Sequence, residues 1–262
     1  MPLPDPSLDL ARLLDDLRPV VRAAGAEILK VYNSDFEVFR KDDSSPVTAA
    51  DRAAETVILD ALARLTPDIP VVAEEQVDAG NIPDISGGAF WLVDPLDGTK
   101  EFINRRDEFT VNVGLIVDGV PVLGLVYCPV LDRLFAGCGA GTATLEENGE
   151  CRAIQVRKPD ADGLIVLSSR SHANSEALHD FLGGKPVKEI INAGSSLKFC
   201  RVAEGAADIY PRFGPTCEWD TAAAHAVLTA AGGSVTLVDG QPFLYAKEKF
   251  LNPHFIARGA AA

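Results

Sequence analysis

Two carboxylates stand three residues apart in Asp94-Pro95-Leu96-Asp97-Gly98-Thr99, directly after the apolar run Phe90–Val93. The run reads as a buried strand that ends where the aspartates begin. Pro95 fixes its own φ and biases Asp94 towards extended backbone, and Gly98 permits a turn that a side chain would resist. Two carboxylates at a strand end, beside amides that a sharp turn exposes, suit a divalent cation and a phosphate together. The same six residues also fit a plain Asp-Pro/Asp-Gly surface turn.

Other segments supply partners for this pair. Glu74 follows the short apolar strand Val71–Ala73, so two strands of one sheet would both end in carboxylates; the alternative is a solvated acidic loop. Asp220, in Glu218-Trp219-Asp220-Thr221, opens an alanine-rich helix, where it is either an N-cap or a ligand beside a helix end that attracts phosphate. Asp51 and Thr99 form a candidate pair for proton handling, with the hydroxyl orienting water and the carboxylate accepting from it; Asp51 otherwise reads as a favourable charge in a helix's first turn. His172, His179, His225 and His254 lack zinc spacing and read as ordinary surface or core histidines. Gly183-Gly184-Lys185 is not a P-loop, no GxSxG elbow occurs, and the cysteines have no visible activating partner.

These residues need a frame. Asp5 or Ser7 caps a first helix, in which Leu10, Leu13, Leu14, Leu17, Val20, Val21, Ala24, Ile28 and Val31 recur at helical spacing, and Pro19 is expected to kink or divide it. Residues 36–39 alternate as a short strand, and Arg40–Pro46 reads as a polar mobile loop positioned to close over the site. Thr48 caps a second helix through about Leu65. After the central motif the pattern becomes a meander. Its strands are Val111–Val117, Val120–Cys128, Arg133–Cys138 and Thr142–Glu147, with Asp118-Gly119 a hairpin signal. Strands at 164–168, 187–191 and 208–213 then alternate with helices at 174–182, 195–204 and 221–231, which argues for an α/β half. A boundary near residues 150–160 divides the chain into 1–155 and 156–262.

The composition is that of an ordinary globular protein of 262 residues, 47% hydrophobic and 24% charged, with a formal charge of −14. That charge excludes a general nucleic-acid surface but not an anionic substrate, because bound cations reverse the local sign. Five cysteines without a CxxC pair point to thiols of a reducing compartment. The N-terminal MPLPDPSLDL is unlike a signal peptide, and no run of 18 apolar residues exists for a membrane span. The reading is a soluble cytoplasmic protein, with peripheral association at the inner membrane left open.

Three motifs then line up in order: AEEQ at Ala73–Gln76, WLVDPLDGTKEF at Trp91–Phe102 and EWDTAAAH at Glu218–His225. Together with PVTAAD at 46–51 they resemble the inositol monophosphatase family of metal-dependent, lithium-sensitive phosphatases, over nearly the whole chain. The resemblance implies an α/β fold: a layered α/β/α/β/α sandwich with an α+β N-terminal half and an α/β C-terminal half. It implies two to three Mg²⁺ ions. Glu74, Asp94 and the Leu96 carbonyl would hold one; Asp94, Asp97 and Asp220 a second; and Glu74 would help place a third. Gly98 and Thr99 would hold the phosphate through N–H groups, and Asp51 with Thr99 would activate the nucleophilic water.

DGTKEFINRRDEFTVNVGLI, GSSLKFCRVAEG and the late KEKFLNPHF are similar to the bisphosphate-nucleotidase branch of the family. Ser195, Ser196 and Lys198 fall where that branch contacts its nucleotide, and Tyr210–Thr216 lies close by. The implied reaction is hydrolysis of adenosine 3',5'-bisphosphate, or of its sulfated relative, by metal-activated water, with a role in sulfur metabolism. Phosphatases of the same family acting on inositol 1-phosphate or fructose 1,6-bisphosphate are the alternative within the class. A non-catalytic metal- or nucleotide-sensing protein is the alternative outside it. Members often pair as homodimers, and the sequence leaves the oligomeric state open.

Overall fold

The computed structural model describes residues 8–34, 46–170 and 175–260. Asp5, Ser7, the strand 36–39, the loop up to residue 45 and His172 lie outside them. Helix α1 (Leu10–Tyr32) is capped by Asp9, whose Oδ1 accepts the N–H groups of Ala11 and Arg12, each at 3.1 Å. Pro19 does not divide the helix. An interior proline costs about 3 kcal/mol or more. The stripe Leu13, Leu14, Leu17, Val21, Ala24 and Ile28 is buried on both sides of it, and large aliphatic side chains contribute roughly 1.5–3 kcal/mol each on burial. Helix α2 (Pro46–Leu65) begins at a proline, the residue best suited to a first helical position. Thr48 therefore lies inside the first turn instead of capping it, and Asp51 sits one turn further in.

Strand β1 (Val71–Ala73) leads directly into the short helix α3 (Glu74–Asp78), where the sequence suggested a loop. Strand β2 (Ala89–Asp97) pairs parallel with β1 and carries the central motif to its end. The expected turn at Asp94 is a bulge: Asp94 pairs with Asn112 and Asp97 with Thr110, so three steps on β2 match two on its neighbour. Pro95, which has no N–H to give a ladder, falls inside that bulge. The chain turns only at Gly98, at φ 103°, and enters α4 (Thr99–Ile103). Strands β3 (Thr110–Val117), β4 (Val120–Cys128), β5 (Arg133–Gly137), β6 (Thr144–Glu147) and β7 (Glu150–Ala153) complete a seven-stranded sheet in sequential order. Asp118-Gly119 and Asn148-Gly149 make its left-handed hairpin turns. The second of these carries β7, which the sequence reading did not include.

The C-terminal half alternates β8 (Leu164–Ser169), α5 (Ser175–Leu182), β9 (Val187–Ala193), α6 (Leu197–Ala203), β10 (Ile209–Arg212) and α7 (Ala222–Ala230). Two strands absent from the sequence reading, β11 (Ser234–Leu237) and β12 (Phe255–Arg258), finish a five-stranded sheet ordered β11-β12-β10-β8-β9. Helices α1 and α2 pack on one face of the first sheet, α6 and α7 fill the space between the sheets, and α5 covers the second sheet from outside. This is the α/β/α/β/α sandwich. At one place the middle layer meets the first sheet backbone to backbone. A Cβ on Gly124 would lie 2.1 Å from the Ala223 carbonyl oxygen and one on Gly114 2.8 Å from the Ala223 nitrogen, so α7 rests its backbone on β3 and β4. That contact sets the position of the loop before α7, and with it Asp220.

Candidate metal and phosphate site

Two elements, one from each half, deliver three carboxylates to one point. Asp94 and Asp97 come from the bulged end of β2, and Asp220 from the loop before α7. One oxygen from each lies within 4.8 Å of the others. Asp220 does not cap α7; Thr221 occupies that position. Asp220 Oδ2 instead accepts the Cys217 N–H at 2.8 Å, which folds its own loop back on itself. The bulge is braced similarly, by the Leu96 N–H donating to Asp94 Oδ1 at 2.9 Å. Glu74, at the start of α3, stands close enough to Asp94 to raise its carboxyl. Asp51 stands on α2, its charge felt by Asp94.

Burial and mutual repulsion dominate the titration of this group of acids. Burial, with Glu74, Asp97 and Asp220 adding to it, holds the Asp94 carboxyl well above its ordinary range. Burial and then Asp97 do the same to Asp220. Burial pushes Glu74 up to about 7, and burial with Glu74, Glu75 and Glu55 pushes Asp51 up to about 9. Asp97 is also raised by burial, with Lys198 and the Ser196 N–H pulling the other way. Hard oxygen donors this close repel one another unless a cation or protons intervene, so the donor set fits a hard divalent ion.

A pocket of about 290 Å³ opens beside the acids. It is lined by Asp97, Gly98, Thr99, Ser195, Ser196, Lys198 and Asp220 among the residues singled out from sequence. Asp51, Glu74, Asp94 and Leu96 lie off its wall. Asp51 and Thr99 are not joined by any of the hydrogen bonds among the described residues. The Ser196 hydroxyl is buried and committed: it donates to Asn112 Oδ1 at 2.8 Å and lies 2.9 Å from the Thr110 hydroxyl. Its backbone N–H donates to Asp97 Oδ2 at 2.5 Å. Ser196 thus holds a carboxylate in place while it also lines the pocket. Lys198 is buried and donates to the carbonyls of Ala193 and Ser195. Burial, with Arg212 assisting and Asp97 opposing, draws it down to about 8.

Several residues of the site escaped sequence reasoning. Arg212, inside the 210–216 segment, lines the pocket with its Nη2 donating to the Pro215 carbonyl and its buried Nε without a partner. Its signal was a charge in the otherwise apolar strand β10. Asn112, the one polar side chain of Val111–Val117, donates to Asp97 Oδ2 at 3.4 Å. Glu55, one turn beyond Asp51 on α2, accepts the Glu75 N–H and the Gln76 side-chain amide, each at 3.1 Å, and so fixes the start of α3 that carries Glu74. Glu108 bridges the two halves, accepting from the N–H of Gly194, a pocket residue, and pairing with Arg170. His225 is a core histidine hydrogen-bonded to Tyr245, and all five cysteines are free thiols.

A layered sandwich that converges carboxylates from a bulged strand and a pre-helix loop beside a pocket holding Lys198 and Arg212 has the build of a metal-dependent phosphate-ester site. The chain belongs to the inositol monophosphatase family, whose sequence model matches residues 9–261. It is 50% identical over 246 residues to the 3'(2'),5'-bisphosphate nucleotidase CysQ of Escherichia coli K12, covering 93% of this chain and 98% of that protein. The CysQ of Haemophilus influenzae is 31% identical over 250 residues, covering 94% and 93%. Among solved structures, CysQ from Bacteroides thetaiotaomicron superposes with a TM-score of 0.84 at 35% identity, over 96% of this chain and 98% of that one. The inositol monophosphatase from Anabaena sp. PCC 7120 gives 0.76 at 29%, over 96% and 92%.

Proposed function

We propose that this chain is a Mg²⁺-dependent 3'(2'),5'-bisphosphate nucleotidase that converts adenosine 3',5'-bisphosphate to AMP and phosphate. The observation that carries the reading is the pairing of a carboxylate cluster, buried at Asp94 and half-buried at Asp97 and Asp220, with two buried cations, Lys198 and Arg212, in the adjoining pocket. A phosphate monoester needs only the first; a substrate with a second phosphate has use for both. An Arg Nε buried without a partner costs free energy, and an anion in the pocket would recover it. The similarity to the CysQ nucleotidases supports the same substrate class.

In this reading Glu74, Asp94, Asp97, Asp220 and the Leu96 carbonyl hold the ions. When bound, Mg²⁺ neutralises the phosphate and lowers the pKa of a coordinated water. The chain's own groups do the rest. Gly98 and Thr99 lie against the phosphate from the pocket wall. Asp51, protonated at neutral pH without cations, becomes an acceptor for a proton of the attacking water once the neighbouring acids are neutralised, and the Thr99 hydroxyl orients that water. Lys198 and Arg212 fix the non-reacting phosphate, so the ester is held in one register relative to the carboxylates. The two halves, 1–155 and 156–262, contribute four and one of the ion-holding residues, and they act as one unit through the shared middle layer. Five free thiols suit the reducing cytoplasm, where we place the protein. The reading is tested by phosphate release from adenosine 3',5'-bisphosphate with Mg²⁺, against the same assay in EDTA.

A further inference from the structure

The loop that brings Asp220 to the cluster has little regular structure of its own, yet it forms one wall of the pocket through Pro215, Thr216, Asp220 and Thr221. A second segment lies along it. The Phe250 carbonyl accepts the Glu218 N–H at 2.8 Å, and the Asn252 N–H donates to the Thr216 carbonyl at 2.9 Å. The Asn252 side-chain amide reaches three acceptors of the loop: the Cys217 carbonyl at 2.6 Å, Thr216 Oγ1 at 3.1 Å and Thr221 Oγ1 at 3.2 Å. Its own Oδ1 is buried without a partner, so the loop alone sets the orientation of that amide.

Glu218, two residues before Asp220, is 0% exposed. A carboxylate so placed is expensive unless fully satisfied. Its satisfaction comes wholly from the second segment: Oε2 accepts the Ala246 N–H at 3.0 Å, and Oε1 accepts the Lys247 N–H at 2.9 Å and pairs with Lys247 Nζ at 2.6 Å. Ala246, Lys249 and Phe250 have φ of 70°, 56° and 55°, left-handed values that L side chains resist. An apolar contact would pack this loop without a buried charge and without three strained residues in a row of five. What the charge and the strain provide is a fixed position.

From these contacts we infer that the strap 245–252 is a positioning element of the metal site, with Glu218, Lys247 and Asn252 holding Asp220 where the carboxylate cluster closes. The inference rests on the reading of Asp220 as an ion ligand. It predicts a particular separation of effects. Loosening the strap lets Asp220 wander, so the ion is held less tightly, while the substrate contacts made by Lys198 and Arg212 on other elements are kept.

The test is a Mg²⁺ titration of the whole protein and of Lys247→Met, Asn252→Ala and Lys247→Arg, read by steady-state hydrolysis and by calorimetry with Mg²⁺ alone. Support requires that Lys247→Met and Asn252→Ala each raise the half-saturating Mg²⁺ about 10-fold, the usual effect of losing a residue that orients a ligand. The rate at saturating Mg²⁺ and the substrate KM should stay within about threefold, and Lys247→Arg should recover most of the Mg²⁺ affinity. A purely structural strap would lower Tm and the active fraction while leaving the Mg²⁺ midpoint unchanged, and that result overturns the inference. If Lys247→Met does not fold, Asn252→Ala decides alone. An unmodified protein that neither binds Mg²⁺ nor hydrolyses the ester removes the functional reading itself, and the inference with it. An active, Mg²⁺-dependent protein whose variants match it removes the inference only.

Discussion

The backbone N–H of Ser196 donates to Oδ2 of Asp97 at 2.5 Å, joining residues 99 positions apart in the chain. Asp97 ends a strand of the first sheet and Ser196 precedes α6 between the sheets, so the two halves meet at a carboxylate of the cluster. Asn112 completes the junction, donating to the same Asp97 oxygen and accepting from the Ser196 hydroxyl. Asn112→Ala should leave the buried Ser196 hydroxyl short of a partner and Asp97 less constrained. The expected result is a loss of about 1–3 kcal/mol in urea unfolding. The Mg²⁺ requirement should rise about 10-fold. Loss of stability with an unaltered Mg²⁺ midpoint would show that Asn112 does not act on the ion site.

Asp94→Asn should have opposite effects on activity and on metal-free stability. The substitution removes a proposed ion ligand with negligible change in volume, so Mg²⁺-dependent turnover should fall by at least about 100-fold. It also removes a buried charge that Glu74, Asp97 and Asp220 all oppose. In EDTA the variant should therefore melt higher, by on the order of 2–6 °C. Added Mg²⁺, which should stabilise the unmodified protein by linkage, should stabilise the variant much less. Thermal scans with and without Mg²⁺ read all three effects.

Stability without cations should depend on pH in a direction set by Asp51. Its carboxyl is raised from an ordinary 3.8 to about 9, first by burial and then by Glu74, Glu75 and Glu55. Between those values the folded chain keeps a proton that the unfolded chain releases. Stability from this group therefore falls as pH rises from about 4 towards 9. Glu74, raised to about 7, adds to the fall over the lower part of that range. Asp51→Asn should flatten the slope of metal-free Tm against pH between about 5 and 9. An unchanged slope would contradict the assignment of a buried, protonated Asp51.

Much of this arrangement was legible in the sequence because strand and helix periods place residue types at predictable ends. Val71–Ala73 before Glu74 and Phe90–Val93 before Asp94 were readable as apolar runs meeting carboxylates, and β4 was readable to its last residue. The bulge was not, because a proline after a strand reads as a stop, whereas here a ladder with one unpaired residue absorbs it. The helices α3 and α4 are five residues each, too short for helical periodicity to register. Strand β12 pairs with β11 on one side and with β10 on the other, across separations that local pattern does not report. Ser196 and Asn112 illustrate the same limit at the site. Each is an ordinary polar residue in sequence, and only the packing of α6 against the end of β2 makes them partners of Asp97.

Arg212 offers a way to separate phosphate recognition from chemistry. Its side chain is buried in β10 with Nε unpartnered at the pocket wall. A charge-assisted hydrogen bond to a phosphate contributes roughly 1.5–3 kcal/mol, so Arg212→Ala should lower kcat/KM for adenosine 3',5'-bisphosphate about 10- to 100-fold. The rate on a monophosphate such as inositol 1-phosphate, which has no second anion for Arg212 to hold, should change by less than about threefold. Equal losses on both substrates would place Arg212 in the general support of the pocket and not in recognition of the second phosphate.

The central claim is that a carboxylate cluster able to hold Mg²⁺ serves a pocket made for a nucleotide with two phosphates. The most direct measurement is kcat/KM with Mg²⁺ for adenosine 3',5'-bisphosphate, inositol 1-phosphate and fructose 1,6-bisphosphate on one preparation, with EDTA as the blank. The expected result is metal-dependent hydrolysis with the bisphosphonucleotide preferred by at least about 10-fold, the contribution of one charge-assisted contact. Preference for either sugar phosphate would contradict the substrate assignment, and hydrolysis undiminished in EDTA would contradict the role of the carboxylates.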